Sequence, residues 1–449
     1  MAENDRQADG KPPGTRAERR SGKQETSLPP IVETTDIPAC SKAQDARRLG
    51  TQGRLVMRSV GLDLGVRHIA YCEVADGKVL DRTTVRSLSE LASRIGPNCE
   101  PARVAFEACR EGWHIHDKLA QWGHDPRMLD TTRIRQIGVG QHRRKNDPID
   151  AEAMAQAVDA GRFPEAHVLS PERRALRAQL SVRGALVETR SQYVTTIRGL
   201  ARAAGVLLPT CDPENFVAKL ENAALDEATR NLIAPLVVLL RALEPELARV
   251  EQTLSGFAQK DPILNLCATV PGVGLIVAAT FVSVIDEAKR FKNAHAVGAY
   301  LGLVPSESTT GGPNKRRLGS ITKQGNRMAR SMLVQAAWTI MRLRDRDDPL
   351  KRWADHLANT RGKRIAVVAL ARKLAGVLWA MWRDGTVYDR AEQAEKAAHG
   401  AKVAAREQHH RADALERAAK KLRRTNTENA LASKRTSKAR SASSEVSAR

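Results

Sequence analysis

The sequence predicts a mixed α/β domain followed by two mainly helical regions. Strand-like and helix-like segments alternate over residues 57–165, apolar residues recur every three or four positions over 166–261, and 262–390 is mostly helical in pattern. Residues 1–56 are rich in Pro, Ser, Thr, Arg and Glu, and 391–449 contain no aromatic residue. Because such segments bury too little apolar surface to offset chain entropy, we expect both to be largely disordered.

Five strands and three helices are predicted in the α/β region. Strands are expected for "RSVGLDLGV", "RHIAYCEVA" and "KVLDRTTVR", the last two joined by a turn at Asp76-Gly77. A short helix follows in "SLSELASRIG", then a buried strand in "ARVAFEAC". A helix through "HIHDKLAQWG", a strand near "PRMLD" and a helix from Asp147 complete the region. Three strands in hairpin order, followed by alternation, indicate a mixed sheet.

The two later regions are predicted to be helical. Within 166–261, two long amphipathic segments indicate a helical hairpin or coiled coil, with a plain helical subdomain as an equal alternative. The region 262–390 opens with "LCATVPGVGLIVAATFVSVI" and carries a glycine-rich, basic insertion from Pro305 to Asn326. Its "VPGVG" (270–274) is similar to a helix–hairpin–helix turn, although a tight turn between two packed helices has the same pattern.

Charge and composition narrow the class of partner and the compartment. A formal net charge of +22 over 449 residues predicts a polyanionic partner, nucleic acid first. The six cysteines form no CxxC pair, which argues against a structural zinc site. There is no continuous apolar h-region and no run of about 18 apolar residues, so we expect a cytoplasmic, nucleoid-associated protein without membrane contact.

Four carboxylates stand where a structural role alone explains them poorly. Asp63 interrupts an apolar strand, and Glu107 lies at the carboxyl end of a second one. Burying such groups is costly unless they are paired or bound to metal, and open α/β sheets bind ligands at the carboxyl ends of their strands. Asp147 and Asp150 are three residues apart at a helix start, a spacing that suits capping and also places both on one face.

Together these four residues predict a metal-dependent site for phosphodiester chemistry. Carboxylate oxygens are ligands for hard divalent cations such as Mg²⁺, with Mn²⁺ as the alternative. Two such ions about 3.5–4 Å apart activate a nucleophile and stabilise the leaving oxygen. The adjoining "HRRKN" adds positive charge, so Arg143, Arg144 and Lys145 are candidates for contact with a phosphate backbone.

The motifs "GLDLG", "AFEAC" and "KNDPIDAEAMA" resemble the Asp, Glu, Asp, Asp signature of DEDD-type insertion-sequence transposases of the IS-one-ten family. The resemblance runs from about residue 58 to 388 and includes "RFKNAHAVGAYLGLVPSE", "GSITKQGN" and "RSMLVQAAW". It implies an RNase H-like (RuvC-like) catalytic domain over 57–165 and a C-terminal transposase domain over 262–390. It also implies recombination of DNA guided by a structured non-coding RNA, carried out by a homodimer or tetramer.

The resemblance further implies a covalent nucleophile, at which this sequence departs from the family. A serine is expected just before the glycine of the basic insertion, yet Thr310 precedes Gly311 here and Ser308 lies two positions earlier. Threonine is a stiffer and more hindered nucleophile, so Thr310, a shifted Ser308 and an impaired copy all stay open. Nearby cations are candidates for phosphate contact: Lys315, Arg316, Arg317 and Lys323.

Two other functions fit the same residues. A RuvC-type structure-selective nuclease would use the carboxylates with water as the nucleophile. A catalytically inactive nucleic-acid-binding protein would keep the basic charge and need none of the acids.

Overall fold

The computed structural model describes residues 57–139, 147–309, 316–344 and 347–389, together with positions 391, 395, 416 and 417. The segment 1–56 and nearly all of 391–449, both expected to be disordered, lie outside the described residues. The chain divides into two compact units between Val168 and Leu169, which we call the N-terminal and C-terminal units.

The N-terminal unit is built on a five-stranded mixed sheet. Its strands are β1 (Arg58–Leu64), β2 (Ile69–Ala75), β3 (Lys78–Val85), β4 (Ala102–Glu107) and β5 (Asp125–Leu129), and its helices are α1 (Leu88–Ile95), α2 (Gly112–Gln121) and α3 (Asp147–Asp159). The strand order is β3-β2-β1-β4-β5. The first three strands are antiparallel neighbours, whereas β1, β4 and β5 run parallel. The predicted mixed α/β sheet is confirmed, and it fits an RNase H-like fold.

Helices cover both faces of this sheet. On one face, α1 and α2 pack their apolar residues against buried side chains of β1, β2 and β4, with Leu62 and Phe106 fully buried. On the other face, Ala70, Cys72 and Val74 of β2 contact Ala151 and Ala155 of α3. Because side chains alternate between the faces of a strand, β1 presents Leu62 to one layer and Gly61 to the other.

Helix α3 lies closer to β1 than any side chain on that face would allow. A Cβ atom added at Gly61 would stand 2.0 Å from the Ala151 carbonyl oxygen and 2.7 Å from the Ala155 nitrogen. Glycine in a strand interior commonly marks such an approach of another backbone. Gly61 in β1 and the small residues Ala151 and Ala155 in α3 therefore set the distance between the helix and the sheet.

Polar contacts at three points set the direction of α3. Near its start, Asp147 Oδ2 lies 3.2 Å from His68 Nε2 in the β1–β2 turn. In its middle, Glu152 forms an ion pair with Arg82 of β3. At its end, Asp159 accepts a 2.8 Å hydrogen bond from the backbone N–H of Gly77 in the β2–β3 turn. Since these two turns lie at opposite ends of β1, α3 runs antiparallel to β1 and begins where β1 ends.

A buried histidine joins the opposite end of β4 to α1. His124 Nδ1 accepts a 3.1 Å hydrogen bond from the Ala102 N–H, and its Nε2 donates to the Ile95 carbonyl oxygen at 2.6 Å. Burial lowers the pKa of His124 below its usual 6.5. The neutral ring is therefore the form that the fold holds, because protonation of Nδ1 would remove the acceptor for Ala102.

The C-terminal unit is mainly helical. Its helices are α4 (Pro171–Ala203), α5 (Phe216–Glu221), α6 (Glu227–Lys260), α7 (Pro262–Ala268), α8 (Leu275–Ile285), α9 (Ala294–Tyr300), α10 (Arg327–Arg342), α11 (Pro349–Arg361) and α12 (Lys363–Asp384). Helices α7 to α12 share one apolar core, to which the start of α4 and the end of α6 contribute Leu176, Leu180 and Leu254.

Helices α4 and α6, which correspond to the two long amphipathic segments of residues 166–261, are antiparallel neighbours. Arg183 pairs with Glu251 at 2.7 Å, and Arg190 pairs with Glu244 at 3.3 Å. Partners move back along α6 as the chain advances along α4, which is the register of an antiparallel pair. The buried residues of α6 include Ile233, Leu240, Leu247 and Leu254, seven residues apart.

The sequence assigns no regular secondary structure to the basic insertion of the C-terminal unit. The basic insertion contains a hairpin of two antiparallel strands, β6 (Pro305–Thr309) and β7 (Arg316–Ile321). The insertion is glycine-rich and charged, so it lacks the apolar alternation by which strands are recognised.

Within the described residues, α12 is the helix long and apolar enough to cross a membrane by length and composition. Over half of that apolar stretch, 56%, is buried inside the protein, against neighbours of the apolar core.

We expect the stability of the N-terminal unit to fall as the pH drops below about 6.5, the usual pKa of histidine. The unfolded chain binds a proton at His124 in that range, whereas the folded chain binds it only at lower pH, so acid favours unfolding until the lower pKa is reached. Thermal unfolding between pH 8 and 5.5 should show this loss. His124→Gln, which keeps a donor and an acceptor but does not titrate, should show a flatter profile. Equal profiles for the two proteins would contradict it.

Replacing Gly61 by alanine should loosen α3. The added Cβ overlaps backbone atoms of α3, so the helix must shift, at a cost of about 1–3 kcal/mol. Hydrogen–deuterium exchange of residues 147–159 should rise. The control is Gly184→Ala in α4, where a Cβ meets nothing within 4 Å and should stabilise the helix by about 0.5–1 kcal/mol. Unchanged exchange in Gly61→Ala would show that the close approach does not hold α3.

Candidate active site at the carboxyl edge of the sheet

Asp63 lies near the end of β1, on the face of the sheet that α3 covers. It is two residues beyond Gly61, whose missing side chain would point into α3, so the two positions share that face. Asp63 is partly exposed, unlike the fully buried Leu62 before it. Asp63 therefore lies where β1 leaves the buried core, with its side chain partly accessible to solvent.

Glu107 ends β4, the parallel neighbour of β1. The last paired residues of the two strands are Leu62 and Phe106, so Asp63 and Glu107 follow directly, side by side. Ala105, two residues before Glu107, packs with Met154 and Val158 of α3. Glu107 thus points to the same face as Asp63.

Asp147 and Asp150 lie in the first turn of α3. Because α3 begins where β1 ends, both acids reach the edge that carries Asp63 and Glu107. Asp150 is 7% exposed, whereas Asp147 is partly exposed and contacts His68. The positive end of the helix dipole favours carboxylates at this position. The backbone therefore brings all four predicted acids to one edge and one face of the sheet.

His68 is a residue of this edge that the sequence did not single out. It follows Asp63 through a turn closed by a 3.0 Å hydrogen bond from Gly65 N–H to the His68 carbonyl oxygen. Its ring reaches Asp147 across the turn. A histidine at the start of an apolar strand carries no local signal of such a contact. Gly61, by contrast, could have been noted as a glycine inside a strand pattern.

The four carboxylates are suitable ligands for a divalent cation, but their side chains do not form a preorganised coordination site. Four carboxylates offer the oxygen ligands that Mg²⁺ and similar ions take. Within the described ranges, no group of three or more His, Cys, Asp or Glu side chains is close enough to hold a metal ion. Binding would therefore require some of the four carboxylates to turn on backbone positions that already share one edge.

The other predicted basic and nucleophilic residues belong to the C-terminal unit or lie outside the described part. Arg143, Arg144, Lys145, Thr310 and Lys315 are outside the described residues. In the hairpin, the backbone of Ser308 pairs with Arg317, next to the pair of Thr309 and Arg316. Lys323, also a predicted phosphate contact, is exposed in the loop after β7, with φ of 56°.

The "VPGVG" turn connects α7 to α8. Val270 and Val273 are buried, and a Cβ at Gly272 would meet Ile340 Cγ1 of α10 at 2.8 Å. Gly274, at the start of α8, has open space around it. One side of the turn is thus packed, and its contact with phosphate stays a prediction.

Comparison with known proteins identifies the family. A family model described as "Transposase IS116/IS110/IS902 family" matches residues 264–351, and a DEDD transposase model named for IS110 matches residues 60–204. A probable family 20 transposase of Pseudomonas aeruginosa is 30% identical over 296 residues, covering 64% of this chain and 86% of that protein.

Two further relatives match over most of their length. The transposase for insertion sequence element IS1328 of Yersinia enterocolitica is 27% identical over 344 residues, 74% of this chain and 98% of the relative. The transposase for IS1111A of Coxiella burnetii is 24% identical over 333 residues, 72% and 89% respectively. With both family models matching in the expected order, the chain belongs to the IS110 family of DEDD transposases.

Proposed function

We propose that this transposase excises and inserts its insertion sequence by metal-assisted cleavage and exchange of DNA strands at the carboxyl edge of the N-terminal sheet. The observation that carries the proposal is the convergence of two strand ends and one helix start on a single edge, each bearing an acid. Asp63 and Glu107 are adjacent in register, and α3 adds Asp147 and Asp150 from above the same face.

We assign Asp63, Glu107, Asp147 and Asp150 as the residues that would hold Mg²⁺, two ions by preference, or Mn²⁺. Bound divalent ions supply activation of a nucleophile and neutralisation of the charge that develops on the leaving oxygen. The protein contributes position. Asp63 and Glu107 project from adjacent strands of a packed sheet, and His68 orients Asp147 from the β1–β2 turn. A donor on a metal-binding carboxylate fixes its orientation.

A hydroxyl of the hairpin is proposed as the group that attacks DNA. Oγ1 of Thr310 or Oγ of Ser308 would form a bond to a backbone phosphorus and lose its proton. The bond from phosphorus to one DNA oxygen would break, and that oxygen would leave as a hydroxyl. The strand then remains joined to the protein until a second DNA hydroxyl displaces it, which exchanges strands without loss of bond energy.

The proposal includes two kinds of nucleic-acid partner. One is DNA, both of the element ends and of the target, and the other is a structured guide RNA. The support is electrostatic: the chain carries a net charge of +22, far more than the binding of one small ligand would need. Arg143, Arg144 and Lys145, which precede Asp147 in the sequence, are proposed to contact backbone phosphates. The same contact is proposed for Lys315, Arg316, Arg317 and Lys323.

A dimer or tetramer built through α4 and α6 is also proposed. Recombination requires two duplexes to be held together. Support comes from apolar side chains that α6 leaves exposed, Leu232, Val238 and Leu239. We further propose a cytoplasmic, nucleoid-associated protein without membrane contact, which agrees with the burial of α12 in a protein core.

Replacing any one of the four acids by its amide should lower DNA cleavage by at least about 100-fold, since even outer-shell partners of a metal are worth about 10- to 100-fold. The substrate is DNA carrying the element ends, supplied with and without RNA transcribed from the element. Each variant, Asp63→Asn, Glu107→Gln, Asp147→Asn and Asp150→Asn, should also lose Mn²⁺ binding in calorimetry.

The matched control is Asp159→Asn, at the other end of the same helix, whose amide oxygen can still accept the hydrogen bond from the Gly77 N–H. It should keep both cleavage and Mn²⁺ binding. EDTA should abolish cleavage and Mg²⁺ should restore it. Cleavage by a folded Asp63→Asn protein at the wild-type rate would refute the metal site. Absence of cleavage by the wild-type chain under all conditions would favour the inactive nucleic-acid-binding protein.

Alanine at the true nucleophile should remove covalent attachment of protein to cut DNA. Thr310→Ala and Ser308→Ala are compared on denaturing gels, with Ser320→Ala, in the partner strand of the same hairpin, as the control. Loss of the adduct in one of the first two variants identifies the attacking hydroxyl. Cleavage that persists in both variants without any adduct would indicate instead the water-dependent nuclease.

A further inference from the structure

Tyr300 is an aromatic side chain in an unusual position for this chain. The sequence has six Phe, six Trp and four Tyr, all within the described residues, and Tyr300 alone among them is exposed. It ends α9 with 41% of its surface accessible. Since burying an aromatic ring is strongly favourable, the exposure of this one points to a partner.

The ring of Tyr300 is held in place by its neighbours. Phe291 packs edge-on against it, with centroids 5.2 Å apart and planes at 64°. The Arg290 guanidinium lies 5.3 Å from the Tyr300 centroid and 5.2 Å from that of Phe291. Arg290 is itself anchored by a 2.6 Å hydrogen bond to the Ile285 carbonyl oxygen. A ring fixed in this way presents its exposed surface with little loss of entropy on binding.

Positively charged residues lie in the segment that contains Tyr300, on its N-terminal side. From 288 to 306 the chain contains no Asp or Glu, while Lys289 and Lys292 are exposed on either side of Arg290 and Phe291. Within this segment, which lies between Glu287 and Glu307, the formally charged side chains are all cations.

A second basic segment lies against the backbone of Tyr300. A Cβ at Gly325 would stand 2.1 Å from the Tyr300 carbonyl oxygen, so the loop after β7 touches the end of α9. The Lys323 N–H donates to the Gly302 carbonyl oxygen at 3.1 Å, and Arg330 bonds the carbonyl oxygens of Leu301 and Gly325 at 3.2 and 2.8 Å. Residues 321–330 also contain no acid.

We propose that Tyr300 stacks against an unpaired base of a single nucleic-acid strand, whose phosphates contact Lys289, Lys292 and Lys323. An aromatic face beside cations is the arrangement that binds single strands, because every base has a π-face and every linkage a negative charge. In a duplex the base faces are already stacked, so the site selects unpaired segments. The inference rests on the proposed function, to which it adds a recognition site for single-stranded DNA or RNA.

The test measures binding of the full chain to three labelled probes, oligo-dT, oligo-U and a blunt DNA duplex, at one fixed salt concentration. Tyr300→Ala should bind the single strands about tenfold more weakly, the loss expected for one stacked base. Tyr300→Leu, which keeps apolar bulk without a π-face, should lose as much. Tyr300→Phe and Tyr300→Trp should bind like the wild type, and duplex binding should stay within about twofold in every variant.

The matched control is Leu207→Ala, which removes an exposed apolar side chain, 79% accessible, in the loop after α4. It should leave all three affinities unchanged. The oligo-dT and oligo-U results decide whether the strand is DNA, RNA or either. Wild-type affinity of Tyr300→Ala and Tyr300→Leu for both single strands would overturn this inference and leave the proposed function intact. A wild-type chain that binds none of the probes would overturn both.

Discussion

The close approach of α3 to β1 is the constraint on which the candidate site depends. Gly61 has no side chain, and Ala151 and Ala155 are small, so two backbones meet where side chains would otherwise separate them. The contact fixes the distance of the helix from the sheet, while His68, Arg82 and Gly77 fix its direction through their partners on α3. Because its distance and direction are both fixed, α3 places its first turn at the carboxyl ends of β1 and β4.

Four acids at one edge create an electrostatic problem that the fold only partly relieves. Like charges repel, so carboxylates that share a site require a cation or a raised pKa. The N-terminus of α3 offers part of a positive charge, and His68 offers a hydrogen-bonding partner to Asp147. In the function proposed above, divalent cations bound by the four acids would supply the remaining positive charge.

The C-terminal unit carries two basic segments that contact each other. Helices α7 to α12, with the start of α4 and the end of α6, form its apolar core. Exposed cations lie in segments that connect these helices, notably the stretch before α9 and the loop after β7. Both are basic and free of acids over the residues 288–306 and 321–330. The close approach of Gly325 to the backbone of Tyr300, 25 positions earlier in the chain, brings these two segments together. The basic segments of the C-terminal unit are thus separate in sequence from the four acids of the N-terminal unit.

Local pattern alone predicted the strands and helices of the α/β region and the two long helices α4 and α6, and it singled out the four acids as candidates. Short runs of apolar residues mark β1, β2 and β4, and the 3.6-residue period marks α4 and α6. An acid within such an apolar run stands out in the sequence. Only the tertiary structure decided the contact of His68 with Asp147, the β6–β7 hairpin and the exposure of Tyr300. Each of these depends on residues far apart in sequence, and no local period records which of them will meet or which ring will remain uncovered.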